Sequence, residues 1–255
     1  MNNAVFITGS SGFIGSNFLN FIKENKFKNF EIVRINKDNY KDYKNTKYDL
    51  INLYHFAGFY SLDEKEKSKI YEANYYYGES LLNTLEIEKF NNLVYTNSIY
   101  SLDGQYDKTS YVKSKNKFSD LIKEKNVGQN FNFIELFLDN TFGAKDSRDK
   151  ILNNIINSVN EGIKFTINNP ESYINLIEIQ KLCKYLFELI SKTVDEKNII
   201  TSKYSYKLIS ILEASTKFSN GKSNIDIDKR INNLKSELNV VKINSDLENY
   251  LIKAL

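Results

Sequence analysis

The chain of 255 residues contains one cysteine, one proline, one methionine and no tryptophan. A single Cys183 excludes an internal disulfide, and its place in the apolar helical run 177–190 marks it as a packed small hydrophobe rather than a reactive thiol. With proline nearly absent, loops have to be built from Asn, Asp, Gly and Ser. Charge of one sign is lacking as well. The formal net charge is +3, with 35 Lys+Arg against 32 Asp+Glu, so there is no basic field for nucleic acid and no charged tail. No stretch approaches the roughly 18 apolar residues of a membrane span, and no charged leader with an apolar core precedes the first strand. A cytoplasmic protein, with neither membrane nor nucleic acid as partner, is therefore expected. The length suits one α/β core with a smaller annex better than two full domains.

What is present begins at residue 4. The apolar run Ala4-Val5-Phe6-Ile7 breaks at Thr8 into Gly9-Ser10-Ser11-Gly12-Phe13-Ile14-Gly15 and then into a helical pattern. A strand, a glycine turn and a helix start make a dinucleotide site. Gly9 permits the tight turn, Gly12 lets backbone N–H groups reach a pyrophosphate, and Gly15 lets the helix pack on the sheet. Ser11, Phe13 and Ile14 share that turn, and the helix N-terminus adds donors and a partial positive charge for the anion.

Apolar period and punctuation then predict strands near 4–8, 30–35, 50–54, 93–96 and 131–136, separated by helices at 12–25, 67–86 and 111–125. Residues 36–47 read as a polar segment. Such alternation predicts a Rossmann-type α/β fold, a doubly wound parallel sheet with its crevice at the carboxyl ends of the strands. After residue 138 the order loosens. A helix at 150–161, a strand near Phe165, a strand and helix at 173–191 and a mixed tail suggest a small, interleaved C-terminal substrate lobe. The dinucleotide domain is thus expected over 1–138 plus about 171–191, and the lobe over 139–170 plus 192–255.

Ser98 lies at the end of one strand, and Tyr111-Val112-Lys113-Ser114-Lys115 opens the next helix. The Tyr-x-x-x-Lys spacing puts Tyr111 and Lys115 on one helical face. An ammonium beside a phenol favours the phenolate, so Tyr111 is expected to titrate below its usual value of about 10 and to serve as acid or base. Ser98 can hydrogen-bond the same substrate oxygen.

These residues stand in an order that resembles the extended short-chain dehydrogenases/reductases, the family of nucleotide-sugar epimerases, dehydratases and reductases. The order is Thr8-Gly9-x-x-Gly12-x-x-Gly15, His55-Phe56-Ala57-Gly58, Asn74, Ser98, Tyr111-x-x-x-Lys115 and Asn140-Thr141-Phe142-Gly143. The resemblance implies that Tyr111 is the acid/base, that Lys115 holds the nicotinamide ribose, and that Ser98 polarises the reacting C–O bond. It places Ala57, Gly58 and Asn74 along the cofactor and makes His55 a satisfied histidine rather than a catalyst. A homodimer through the helices bearing Tyr111 and Asn74 is usual among such proteins; the face Tyr75-Tyr76-Tyr77 fits that role and equally a core.

Dehydratases of the family carry an acidic pair after the catalytic Ser or Thr, and here Ser98 is followed by Ile99-Tyr100. That leaves reduction or epimerisation. The second strand ends Arg34-Ile35-Asn36-Lys37 instead of in an acid, so NADP(H) is expected over NAD(H). The segments 95–98 and 143–151 are similar to the CDP-abequose and CDP-paratose synthase branch. By that similarity the chain would reduce the C4 ketone of a 4-keto-6-deoxy or 3,6-dideoxy nucleotide sugar made for bacterial surface polysaccharide. Alongside Ser98, the residues assigned to this substrate are Tyr100, Asn140, Arg148 and Lys150. The last two stand in for a phosphate-binding Arg that the family places where this chain has Glu171-Ser172. The segment before Leu50 is short, which leaves the family's third strand unplaced. Two other readings share the fold, a C4 epimerase with retained NAD and a non-catalytic NADP(H) sensor. Sensors typically lose the Tyr or the Lys that this chain keeps.

Overall fold

The apolar run at the start forms β1 (Asn3–Thr8), buried on both faces from Ala4 onward, as a central strand of a parallel sheet must be. The computed structural model describes residues 2–25, 29–44, 46–191, 196–222 and 225–255. They divide into two units, residues 1–138 with 183–199, and residues 139–182 with 200–255. After β1 comes α1 (Phe13–Glu24), which buries Gly15, Phe18, Leu19 and Ile22; these are the i, i+3, i+4 and i+7 positions of one helical stripe. The first unit continues with β2 (Glu31–Ile35), β3 (Leu50–His55), α2 (Lys67–Tyr71), α3 (Tyr77–Leu82), β4 (Phe90–Ser98), α4 (Ser110–Asn126) and β5 (Asn132–Leu138). β1 pairs in parallel with both β2 and β3, β3 with β4, and β4 with β5. In the sheet these strands run β5-β4-β3-β1-β2. The chain thus reverses direction of travel between β1 and β3, the switch point where an open α/β sheet forms its crevice.

Two expectations need correction here. The helix expected over 67–86 is interrupted by a π turn at Glu72–Tyr76 and ends at Leu82. A wider turn of that kind is usually found at a functional site, and this one carries Asn74 inward, buried to 1% exposure. The unplaced third strand is absent among the described residues. β2 is the last strand in the sheet order, and a 3-10 turn at Tyr40–Tyr43 follows it. The tyrosines of this segment pack inward on the core: Tyr43 and Tyr48 both meet Phe6 edge-on at 5.5 Å, and Tyr40 meets Tyr77 at 6.2 Å. Of the tyrosine triplet, Tyr75 and Tyr77 are core and Tyr76 is 48% exposed. Cys183 is fully buried, and burial pushes its thiol up to about 12.

The remaining elements are β6 (Asn140–Phe142), α5 (Ile151–Glu161), β7 (Tyr173–Glu178), α6 (Ile179–Glu188), β8 (Glu196–Ser202), β9 (Tyr204–Lys207), α7 (Leu208–Ser219), β10 (Lys229–Ile231), β11 (Asn239–Ile243) and α8 (Leu247–Ala254). In the second unit a four-stranded sheet runs β10-β9-β7-β6, mixed in direction. Its core gathers Phe142, Leu152, Ile155, Leu176, Tyr206, Ile211 and Leu251. No strand forms near Phe165: residues 163–167 are irregular, because Phe165 and Ile167 pack singly against that core instead of joining the sheet. Among the described residues no helix is long and apolar enough to cross a membrane.

Candidate active site

The glycine turn sits at the carboxyl end of β1. Gly9 has φ +63°, and a Cβ there would lie 2.5 Å from the Ala57 nitrogen; only glycine allows both the angle and the approach. At Gly15 a Cβ would lie 2.3 Å from the Gly9 carbonyl oxygen. The Gly12 N–H donates to that oxygen at 3.0 Å. Gly12 also begins α1, with no side chain capping the first turn and no acid within it. The cradle therefore fits a dinucleotide pyrophosphate: backbone comes close, the helix end is positive, and no carboxylate competes. Ser11 is exposed at the rim, with Phe13 and Ile14 half-buried in the first turn.

Past β2 the three expected cofactor residues are differently employed. Asn36 Oδ1 accepts the backbone N–H groups of Asp38 and Asn39 at 2.8 and 3.0 Å, so its side chain closes a local turn. Lys37 donates to Glu72 at 3.0 Å across an exposed ion pair. Arg34 is exposed on β2, and its carbonyl accepts from Asn39 Nδ2.

The segment after β3 is tied down along its length. Thr8 Oγ1 accepts from the Ala57 N–H at 3.2 Å and shares a hydrogen bond with His55 Nδ1 at 3.1 Å. Asn74 brackets Phe59, accepting its N–H at 2.7 Å and donating to its carbonyl at 3.0 Å, and also reaches Ser114 Oγ at 3.2 Å. Glu64 then grips the start of α4, taking the Ser110 N–H at 2.7 Å and its hydroxyl at 2.6 Å. His55 departs from expectation. Its Nε2 is buried with no hydrogen-bond partner. Burial, helped by the nearby Lys115 charge, holds the imidazole neutral down to about 3. His55 is thus bonded through one ring nitrogen only and packed among the rings of Phe118, Tyr95 and Tyr77.

Ser98 ends β4, and Tyr111 and Lys115 lie on the buried face of α4. Thr109 caps that helix, accepting from the Val112 N–H at 3.3 Å. The Ser98 hydroxyl lies close enough to the Tyr111 phenol to favour its ionised form, and the Tyr100 N–H donates to Ser98 Oγ at 3.3 Å. Lys115 is buried, donates from Nζ to the Thr96 carbonyl at 2.6 Å and lies 4.8 Å above the Tyr95 ring. Its Nζ would be 3.6 Å from a Cβ at Gly58, where Asn74 Oδ1 is also close. The expected lowering of the phenol does not appear. Burial pushes Tyr111 up to about 12, against the Ser98 hydroxyl, and pushes Lys115 down to about 8. Removing both groups from water disfavours their charged forms more than proximity favours them. Around Tyr111 stand Tyr60 at 5.0 Å edge-on and Tyr100, whose ring packs on Tyr106 at 4.4 Å.

The sequence reading missed Asn97 and Glu135. Asn97 Oδ1 accepts the Ser98 N–H and the Ser101 hydroxyl, each at 2.8 Å, while its Nδ2 donates to Glu135 Oε1 at 2.8 Å. Glu135 is 1% exposed. A carboxylate in the middle of the apolar run 131–138 was the available signal, since such a group is almost never buried without partners.

The second unit holds the other expected substrate residues. Asn140 bonds the Asp139 carboxylate. Arg148 is committed to Asp146 through Nε at 2.7 Å and Nη2 at 2.6 Å, and to the Thr141 carbonyl at 2.8 Å. Burial, with Arg148 nearby, brings Lys150 down to about 8. Glu171, at the position of the missing arginine, pairs with Lys207 at 2.6 Å.

The model of the NAD dependent epimerase/dehydratase family matches residues 5–174. No curated protein matches the chain. Among solved structures it is similar to RMD from Pseudomonas aeruginosa complexed with NADPH, at 15% identity and a TM-score of 0.73 over 98% of this chain and 99% of that one. UDP-N-acetylglucosamine 4-epimerase from Bacillus cereus is 13% identical, with a TM-score of 0.75 over 99% and 95% of the two chains. The Bordetella bronchiseptica enzyme WbmF, in complex with NAD+, is 13% identical with a TM-score of 0.74 over 99% and 91%. At such identities the likeness is one of fold.

Proposed function

The chain belongs to the NAD dependent epimerase/dehydratase family, and on that premise we propose that it reduces the C4 ketone of a 4-keto-6-deoxy nucleotide sugar with NADP(H). The observation that carries this reading is that Tyr111 and Lys115 are buried together on one face of α4, with Ser98 at the buried end of β4 and Lys115 fixed on the Thr96 carbonyl. In this reading Gly9, Gly12, Gly15 and the start of α1 hold the pyrophosphate, Ala57, Gly58 and Asn74 line the cofactor, and Lys115 holds the nicotinamide ribose. When bound, the nicotinamide supplies the hydride that the ketone carbon gains. Ser98 donates to the carbonyl oxygen, and Tyr111 gives its phenolic proton to the oxygen as it becomes an alkoxide, which leaves a hydroxyl on the sugar. A phenol held near 12 is protonated at neutral pH, the state a reductase needs at the start of turnover. No acidic pair follows Ser98, which favours this reading over dehydration.

For the cofactor, the absence of an acid at the end of β2 and the cations Arg34 and Lys37 support NADP(H). The Lys37–Glu72 ion pair is exposed on both sides and therefore exchangeable at little cost. Asn140, Arg148 and Lys150 remain assigned to the substrate on the resemblance alone. A second reading, C4 epimerisation with retained NAD, is favoured by the engagement of Asn36, which leaves less to bind a 2′-phosphate. The test is NADPH oxidation with a 4-keto-6-deoxy nucleotide sugar. Activity should appear with the wild type and fall at least about a hundredfold in Tyr111→Phe. Copurified NAD with isomer exchange and no net cofactor change would move the assignment to the epimerase.

A further inference from the structure

Glu135 is the most deeply buried acid near the reaction centre, yet the reaction does not use it directly. It stands on β5 opposite Tyr95 of β4, 1% exposed. A carboxylate in such a place persists only when hydrogen-bonded and opposed by positive charge. One oxygen accepts from Asn97 Nδ2 at 2.8 Å. The other lies 3.7 Å from Lys197, whose side chain is 47% exposed; a pair so long and so wet neutralises little. The buried cation nearby is Lys115, whose Nζ lies 4.8 Å from the ring of Tyr95, the residue paired with Glu135 across the two strands. The groups facing that ammonium are Tyr111 on its own helix, His55 on β3, Tyr95 and the Thr96 carbonyl on β4, Asn74 on the π turn, and Glu135 on β5. His55 is neutral and the two phenols are protonated, so Glu135 is the one anion among them.

We propose that Glu135 is a positioning residue of the reaction centre: its carboxylate is the counter-charge that keeps Lys115 an ammonium ion, and through Asn97 it fixes the turn that presents Ser98. The inference rests on the dinucleotide reading above. Burial alone drives a lysine toward neutrality, and Lys115 is already down to about 8, with Glu135 acting in the opposite direction. Asn97 supplies the second link, since it spans the Glu135 carboxylate and the Ser98 N–H.

The experiment measures NADPH binding by fluorescence between pH 6 and 10, in the wild type and in Glu135→Gln. Gln can still accept from Asn97 but has no charge, so the alkaline loss of binding should move down by about one pH unit, as expected for removal of a nearby opposite charge. Glu135→Asp should keep the wild-type limb, and so should Lys197→Met. If Glu135→Gln does not fold, Glu135→Met, apolar and of similar length, should show the same downward move. Coincident limbs for the wild type and the neutral variants, with only melting temperature lowered, would overturn the proposal and leave Glu135 a structural residue. A wild type that binds no dinucleotide at any pH would instead overturn the functional reading on which the proposal rests.

Discussion

His55 is the chain's single histidine, which lets one titration be isolated. In the native state it resists a proton down to about 3, whereas the unfolded chain takes one up near the ordinary 6.5. Between those values the unfolded state binds more protons, so stability rises with pH and is lost as pH falls through the window. At about 1.4 kcal/mol per pH unit, lowering pH from 6.5 to 5 removes about 2 kcal/mol. Bonded carboxylates such as Glu31, Glu64, Glu66 and Glu86 are held below 4.5; their contribution is present above that value and is lost mainly below pH 5. Other groups titrate equally in a variant that lacks the imidazole, so they cancel in the difference. Urea unfolding of wild type and His55→Phe at pH 7.5 and 5.0 is therefore expected to show a pH-dependent loss about 2 kcal/mol smaller in the variant. In the wild type the lone imidazole resonance should stay put between pH 8 and 5. Equal losses in the two proteins, or an imidazole that titrates near 6.5, would refute the argument that His55 is desolvated and neutral.

Asn74→Ala removes three hydrogen bonds and leaves the Phe59 backbone unpaired; at roughly 1 kcal/mol each the variant should lose about 3 kcal/mol in urea unfolding, and a loss under about 1 kcal/mol would show that water replaces the amide. Lys37→Glu should weaken NADPH by about tenfold more than NADH. Equal losses for the two dinucleotides in a direct titration would end the argument for a 2′-phosphate beside β2.

How much of this could be read from residues alone depends on what kind of side chain is buried. β1, α1 and the glycine turn were legible because apolar period and glycine spacing report sheet burial and close backbone approach directly. Tyr111 and Lys115 were legible as one helical face. Asn74, Asn97 and Glu135 take part in buried polar bonds, and hydropathy reads such residues as loop or surface, so neither the π turn nor the charge behind Lys115 had a periodic signature. Asn36 illustrates the same limit. Its type suits a phosphate site, yet two backbone N–H groups three residues or fewer away claim its oxygen. The absence of an outer strand beyond β2 had no local signature either, since Tyr43 and Tyr48 pack on Phe6 and Tyr40 on Tyr77, contacts made only in the folded chain. Tyr111 shows where the charge argument gave way: adjacency to Lys115 predicted a lower value, and desolvation of both groups raised it.

The segment from Ala57 to Glu64 is held at Thr8, Asn74 and Ser110 by this chain's own side chains. Ordering eight residues costs on the order of 10 kcal/mol of backbone entropy, and here that cost falls on folding. In the proposed reading, a dinucleotide entering beside Ala57 and Gly58 would meet a wall that the fold has already ordered, so less of its affinity would be spent on loop closure. The carboxylate of Glu64 thereby joins that wall to the first residue of α4, immediately before Tyr111.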